Sequence, residues 1–407
     1  MLKERYARWM IRWETALTTR DTNRIVRPME WGFDWLADFS ETAATATEQD
    51  ADAFAKMLQI NEEIVAHGDR FYGYTTPTDF RLEERFPELY PTNVRPETLK
   101  QAAQIRADAE SGKLAKAQFL RFTSPVRSKH PENDQVNARW YPESAERRKP
   151  GPKQAIIVMP QWNADAFSHN ALCSIFNRFG VAGLRLSKPY HDVRRPAELE
   201  RSDYAVSSNI GRTIASCRQA VVDIRSCVDW LESQGYEQIG VLGTSLGSCY
   251  AFMAAAFDAR LQVCVFNHAS TRFGDVVWTG QSTRHVREAF EQVGLGQDEV
   301  RNAFMSISPE SVMDRFAAER SRQTLVIHAT YDLTFLREYS LEVLAAFRQR
   351  GMDFVSRVLP CGHYTTGETP YKYMDGWWMG SFVYRAYKRM RERAIEAREL
   401  DRSLVAE

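Results

Sequence analysis

The chain has 407 residues, and its 53 Lys+Arg balance 53 Asp+Glu, so its formal net charge is zero. That balance argues against a dedicated nucleic-acid binder, whose affinity would rest on excess cation facing phosphate. At 44% hydrophobic and 26% charged the composition is globular rather than disordered, no apolar run approaches the roughly 18 residues of a membrane span, and the length predicts one large domain with substantial additions.

Residues 1–117 read as a helical N-terminal region. Tyr6, Trp9, Met10, Trp13 and Leu17 recur at helical spacing and form one apolar face. The segment is Arg-rich, but its scattered charges interrupt any signal-peptide core, and Glu4 and Glu14 argue against a transit peptide, so a structural helix and a cytoplasmic location are expected. Further helices are predicted over 48–67 and 96–117. This region is expected to pack on the rest of the chain, as a cap or a packing extension, with a homodimer surface as the alternative. The six cysteines show neither a C-x-x-C pair nor zinc-ligand spacing, so buried thiols in a reducing compartment are expected and no metal.

From about residue 118 the texture changes. Two short strands are predicted near 119–123 and 136–142, followed by alternating apolar strands and helices. The strands fall at 155–159, 181–186, 238–242, 261–266, 324–328 and 353–359; helices fall near 166–179, 209–234, 246–257 and 335–350. Gly180, Gly235 and Gly351 end three of these helices just before a strand, where a left-handed C-cap is needed. Such alternation predicts an α/β fold with a mostly parallel sheet covered by helices on both faces, and ligands at the carboxyl ends of its strands. Residues 118–407 would form this domain, with a helical insertion over 268–320 before the strand at 324–328. A terminal helix is expected from about Tyr371 to Leu400.

Gly243-Thr-Ser245-Leu-Gly247 lies directly between a predicted strand and an Ala-rich helix. A serine on so sharp a turn needs small neighbours, and the turn lifts its hydroxyl to the start of a helix. A serine hydroxyl also needs a base, and the base needs an orienting acid. Asp332 follows the strand at 324–328, and His363 follows the next strand in a Cys-Gly-His loop where Gly362 is expected to make room for the ring.

GTSLG, HATYD and CGH, in this order at these strand ends, resemble the α/β-hydrolase superfamily of serine hydrolases, in its esterase or dienelactone-hydrolase-like branch, over roughly 118–395. The resemblance implies Ser245 as nucleophile, Asp332 as orienting acid and His363 as general base. It further implies an oxyanion hole from the backbone amides of Leu246 and of the loop after the strand at 155–159, where Trp162 is favoured by register and Gln161 is the alternative. Pro160-Gln161 stands where the superfamily usually has His-Gly. The implied activity is cleavage of a small-molecule ester through an acyl-enzyme, with no cofactor and no nucleic-acid or membrane partner. Peptidase, thioesterase and acyltransferase chemistry, or a non-catalytic binding protein on the same fold, are the alternatives.

Other residues compete for roles. His268 is an alternative base, or else a substrate-side or packing residue, Asp275 an alternative acid, and His328 a satisfied core histidine. Tyr190, His191, Arg194 and Arg195 either line the pocket or contact an anionic substrate group, or else form a solvated or internally paired structural loop. Phe273, Val276, Val277 and Trp278 are expected pocket residues.

Overall fold

The computed structural model describes residues 2–144 and 146–406, with the side chains of 400–406 left aside. Nine strands form one sheet: β1 (Arg81–Arg85), β2 (Ala117–Thr123), β3 (Gln135–Tyr141), β4 (Lys153–Met159), β5 (Ala182–Leu186), β6 (Tyr236–Thr244), β7 (Leu261–Asn267), β8 (Gln323–Ala329) and β9 (Val355–Leu359). Their order is β1-β2-β3-β5-β4-β6-β7-β8-β9. The run from β1 to β5 is antiparallel, whereas β5, β4, β6, β7, β8 and β9 are parallel neighbours.

The central strands are apolar on both faces because both faces are covered. Ala155, Ile157 and Met159 of β4 join Val241, Cys264, Phe266 and Val326 in one core, packed under helices Ile210–Ser233 and Leu246–Phe257. Ile156 and Val158 join Leu242, Val265 and Ile327 in the opposite core, covered by helices Asn170–Arg178 and Tyr371–Ala406. Alternate residues of one strand thus feed two cores, as the two-residue repeat of a strand requires. Gly180, Gly235 and Gly351 all adopt left-handed φ after their helices.

The N-terminal region differs from expectation in one way. It is not wholly helical, because Arg81–Arg85 pairs with β2 and extends the sheet. Its sequence, RLEER, has no apolar alternation, since it is an edge strand whose charged side chains face water and discourage further pairing. Its first helix packs on the domain through the apolar face: Met10 of helix Leu2–Thr19 belongs to the second core, with Tyr6 and Trp13 packed against it.

Between β7 and β8 the chain forms short helices at Phe273–Thr279, Arg284–Gln292, Gln297–Ala303 and Met313–Ala318. Among the described residues, no helix is long and apolar enough to cross a membrane.

Candidate active site

β6 leads directly into the helix beginning at Leu246, and Ser245 takes the turn at φ 57° and ψ −122°. That conformation is strained for a residue with a side chain and persists only where the surroundings enforce it. Here they do: a Cβ on Gly243 would strike the Gly247 carbonyl, and one on Gly247 would strike the Met159 carbonyl. The Ser245 amide donates to the Asn267 carbonyl of β7 at 2.7 Å, fixing the turn to the neighbouring strand end.

Three strand ends then bring three side chains together. Ser245 Oγ lies 2.9 Å from His363 Nε2, and His363 Nδ1 lies 2.9 Å from Asp332 Oδ2. The other Asp332 oxygen, Oδ1, accepts from the amides of Thr334 (2.8 Å) and Phe335 (2.7 Å). The Phe335 ring stacks on the His363 imidazole, centroids 5.3 Å apart and 6° from parallel. The carboxylate is therefore held by its own loop, and the imidazole is held between carboxylate, phenyl ring and hydroxyl.

His268 joins this cluster in a role other than base. Its Nδ1 also reaches Asp332 Oδ2, at 2.9 Å, so one carboxylate oxygen serves two imidazoles whose centroids are 4.5 Å apart. The Ser245 hydroxyl is bonded to His363, so His268 stands behind the acid. Burial alone would push Asp332 up, but the charge on His363 and hydrogen bonds from both imidazoles hold it well below the usual carboxylate range. Burial pushes the His363 imidazole down; the charge and hydrogen bond of Asp332, with the charge of Glu14, outweigh this and raise it above its ordinary value. His268 moves the opposite way, lowered first by burial and then by the charge of His363.

Trp162, Ser245 and Leu246 line one cavity of about 50 Å³, closed by Phe273, Val276 and Val277 of the segment between β7 and β8. Cys249, Ser282, Thr283 and Phe335 contribute to the same wall, and among the described residues no charged side chain lines it. Leu246 opens its helix, where the first amides lack an intrahelical acceptor. The Trp162 indole is anchored away from its amide, donating from Nε1 to the Ser202 carbonyl at 2.9 Å and stacking on His285. Gln161 does not line the cavity; its carbonyl accepts from the buried Lys188 amine at 2.9 Å. Trp278 is half-buried against the first core and is absent from the cavity wall.

The remaining candidates have other employment. Asp275 is buried against Gln297 (2.8 Å) and Arg301 (2.9 Å), away from either imidazole. His328 is buried in β8, but neither ring nitrogen has a hydrogen-bond partner, which corrects the expectation of a satisfied core histidine; burial pushes it down to about 4. The loop after β5 is internally paired. Arg194 donates to the carbonyls of Asn133 (2.8 Å) and Ser187 (2.9 Å) and pairs with Asp223, while Arg195 donates to those of Pro91 and Glu200. Tyr190 is buried, and His191 Nε2 accepts from the Asn163 amide at 3.1 Å, bracing the loop that carries Trp162.

Gly362 has a purpose other than the one expected. The space it leaves is filled by the Glu14 carboxyl of the N-terminal helix, not by the imidazole of His363. Glu14 is the residue that motif reasoning missed, since motifs are local and Glu14 lies 349 positions from the histidine it approaches, by the difference 363 − 14. The available signal was a carboxylate four residues after Met10 and eight after Tyr6, on the same helical face.

The sheet order, the elbow after β6 and the three strand ends are those of the α/β-hydrolase fold. The family model described as alpha/beta hydrolase domain containing 18 matches residues 138–324, which include the elbow but stop before Asp332 and His363. The fold is similar to an acetyl xylan esterase from Paenibacillus sp. R4, with a TM-score of 0.52 at 12% identity over 86% of this chain and 98% of that one. It is equally similar to acetyl xylan esterase 1 from Thermoanaerobacterium sp. JW/SL YS485, with a TM-score of 0.52 at 14% identity over 84% and 96%. An uncharacterized 31.7 kDa protein from the traX-finO intergenic region of Escherichia coli is 38% identical over 71 residues, which are 17% of this chain. The match spans about a quarter of that relative's length, 24%.

Proposed function

We propose that this chain is a serine hydrolase that cleaves a small carboxylic ester through an acyl-enzyme. The observation that carries this reading is the continuous hydrogen-bonded row from Asp332 Oδ2 through His363 to Ser245 Oγ, with 2.9 Å at each link, opening on an uncharged cavity.

In this reading His363 Nε2 takes the Ser245 proton as Oγ bonds to the ester carbonyl carbon. The resulting oxyanion accepts from the backbone amides of Leu246 and Trp162, and the Leu246 helix start adds a favourable dipole. His363 then returns its proton to the departing alkoxide oxygen, and the C–O bond breaks to leave acyl-Ser245. Water gives a proton to His363 and attacks the acyl carbon. Collapse of this second intermediate releases the acid and restores the serine hydroxyl.

The cavity sets the scale of the acyl group. One water-sized sphere occupies about 10–15 Å³ on this measure, so 50 Å³ suits a short, uncharged acyl group of a few heavy atoms. The name of the two acetyl xylan esterases agrees with a small acyl group. Six buried, unpaired cysteines suit a reducing compartment such as the cytoplasm. The test is hydrolysis of p-nitrophenyl acetate against longer esters, thioesters and peptides. Acetate hydrolysis should lead the panel and vanish in a folded Ser245→Ala variant; retention by that variant would refute the reading.

A further inference from the structure

The N-terminal helix lies against the loop that carries His363, and it does so along one stripe. The Tyr6 hydroxyl donates to the Pro360 carbonyl, at the exit of β9. One turn on, Met10 touches the Thr365 hydroxyl through its sulfur. One further turn on, the fully buried Glu14 accepts from the Tyr364 amide at Oε1 (2.8 Å), and from the Thr365 amide (2.9 Å) and hydroxyl (3.0 Å) at Oε2. Thr365 Oγ1 accepts in turn from the Gly362 amide at 2.6 Å, so the residues on both sides of His363 are tied to this carboxylate. The spacing of 6, 10 and 14 is that of a single helical face. Thr18, another turn on, donates to Gln281 at 2.7 Å, beside the Ser282 and Thr283 that line the cavity.

A carboxylate buried in an apolar helix face is expensive unless it is fully hydrogen-bonded. Burial holds Glu14 above its ordinary value, and the Tyr364 and Thr365 amides draw it only part of the way back. The three donors fit an ionised carboxylate and leave neither oxygen in need of a proton. Had the helix served only to cover the sheet edge, a leucine would pack there at less cost. The acceptor is instead matched to the two amides that follow the imidazole, and Gly362 is the residue that admits it.

We propose that Glu14 is a positioning residue for His363, clamping the loop on both sides of the imidazole, so that the N-terminal helix is a working part of the catalytic apparatus. This rests on the assignment of Ser245, Asp332 and His363 above. Glu14 touches no reacting atom and acts through the loop and through its charge. The charged and titratable groups around this pair are Asp332 and His268 beyond His363, and Asp332 and Cys361 facing Glu14.

The test compares full-length wild type, Glu14→Gln and Glu14→Asp, measuring kcat and KM for p-nitrophenyl acetate across the acidic limb, with Tm alongside. Glu14→Gln keeps the size but removes the charge and turns an amide donor towards a backbone N–H. Its kcat should fall about 100-fold, the effect of displacing a catalytic group by about 1 Å. KM should stay unchanged, and the acidic limb should move to lower pH because a charge that raises His363 is gone. Glu14→Asp keeps the charge on a shorter arm, so it should lose kcat while keeping the wild-type limb. Wild-type kcat and limb in folded Glu14→Gln would overturn the proposal. So would a drop in kcat that tracks Tm with the limb unmoved, the mark of a purely structural residue. If Glu14→Gln does not fold, Glu14→Asp decides: reduced kcat supports the proposal and wild-type kcat overturns it. Hydrolysis surviving in Ser245→Ala would bring down the underlying triad by a separate observation.

Discussion

Asp332→Asn is the substitution whose consequence follows most closely from the geometry. Asparagine has the same shape but one acceptor oxygen and one NH2 group. Two amides, from Thr334 and Phe335, point at the Oδ1 position, so the remaining oxygen is retained there. The NH2 must then occupy the Oδ2 position, where it faces Nδ1 of both His363 and His268. Each imidazole can accept only by shedding its Nδ1 proton, which moves the His363 proton to Nε2, towards Ser245. The base then has no lone pair for the serine proton. The wrong tautomer lowers kcat about 10⁴-fold in an analogous triad, or about 5.4 kcal/mol at 1.36 kcal/mol per tenfold. Initial rates with p-nitrophenyl acetate at saturating substrate, on a variant whose Tm shows it folded, measure this. A kcat within tenfold of wild type would show that the carboxylate does not set the His363 tautomer. Stability provides a second readout. The folded pKa of Asp332 is depressed, so its ionised form stabilises the fold fully above about pH 3.9, the unfolded value, and that contribution is lost as pH falls through the lower folded value. The gap in Tm between wild type and Asp332→Asn should therefore narrow in acid.

Two further outcomes follow from the site. His363 is raised above its ordinary value and must be neutral to accept a proton, so kcat/KM should fall as pH drops through a midpoint above about 6.5; a midpoint below that value would contradict the charge balance described. Phe273→Ala removes a ring from the cavity wall, so kcat/KM should shift from acetate towards butyrate and hexanoate esters. An unchanged chain-length profile would show that Phe273 does not bound the acyl site.

The parallel half of the sheet was legible because its strands are buried on both faces and leave unbroken apolar runs. Ser245, Asp332 and His363 were visible as candidates for a related reason: each follows such a run within a short loop, and the elbow demands glycines at fixed offsets. Other features were carried by contacts distant in sequence. β1 has charged residues at an edge and no alternation to detect. The lone glycine before His363 suggested space, but local sequence could not say that a carboxylate from the first helix fills it. His268 drew notice as a rival base, whereas its hydrogen bond to Asp332 depends on β7 and β8 lying side by side. The loop after β5 was ambiguous because paired and unpaired arginines look alike in sequence, and only the fold shows Arg194 sealed against Asp223.

The central claim is that one serine is made nucleophilic by its neighbours, and a fluorophosphonate probe tests this directly because it bonds to an activated hydroxyl. Peptide mapping by mass spectrometry after labelling should place the adduct on Ser245, with labelling lost in Ser245→Ala and strongly slowed in a folded His363→Ala variant. An adduct on another residue, or an unreactive wild-type protein, would contradict the account.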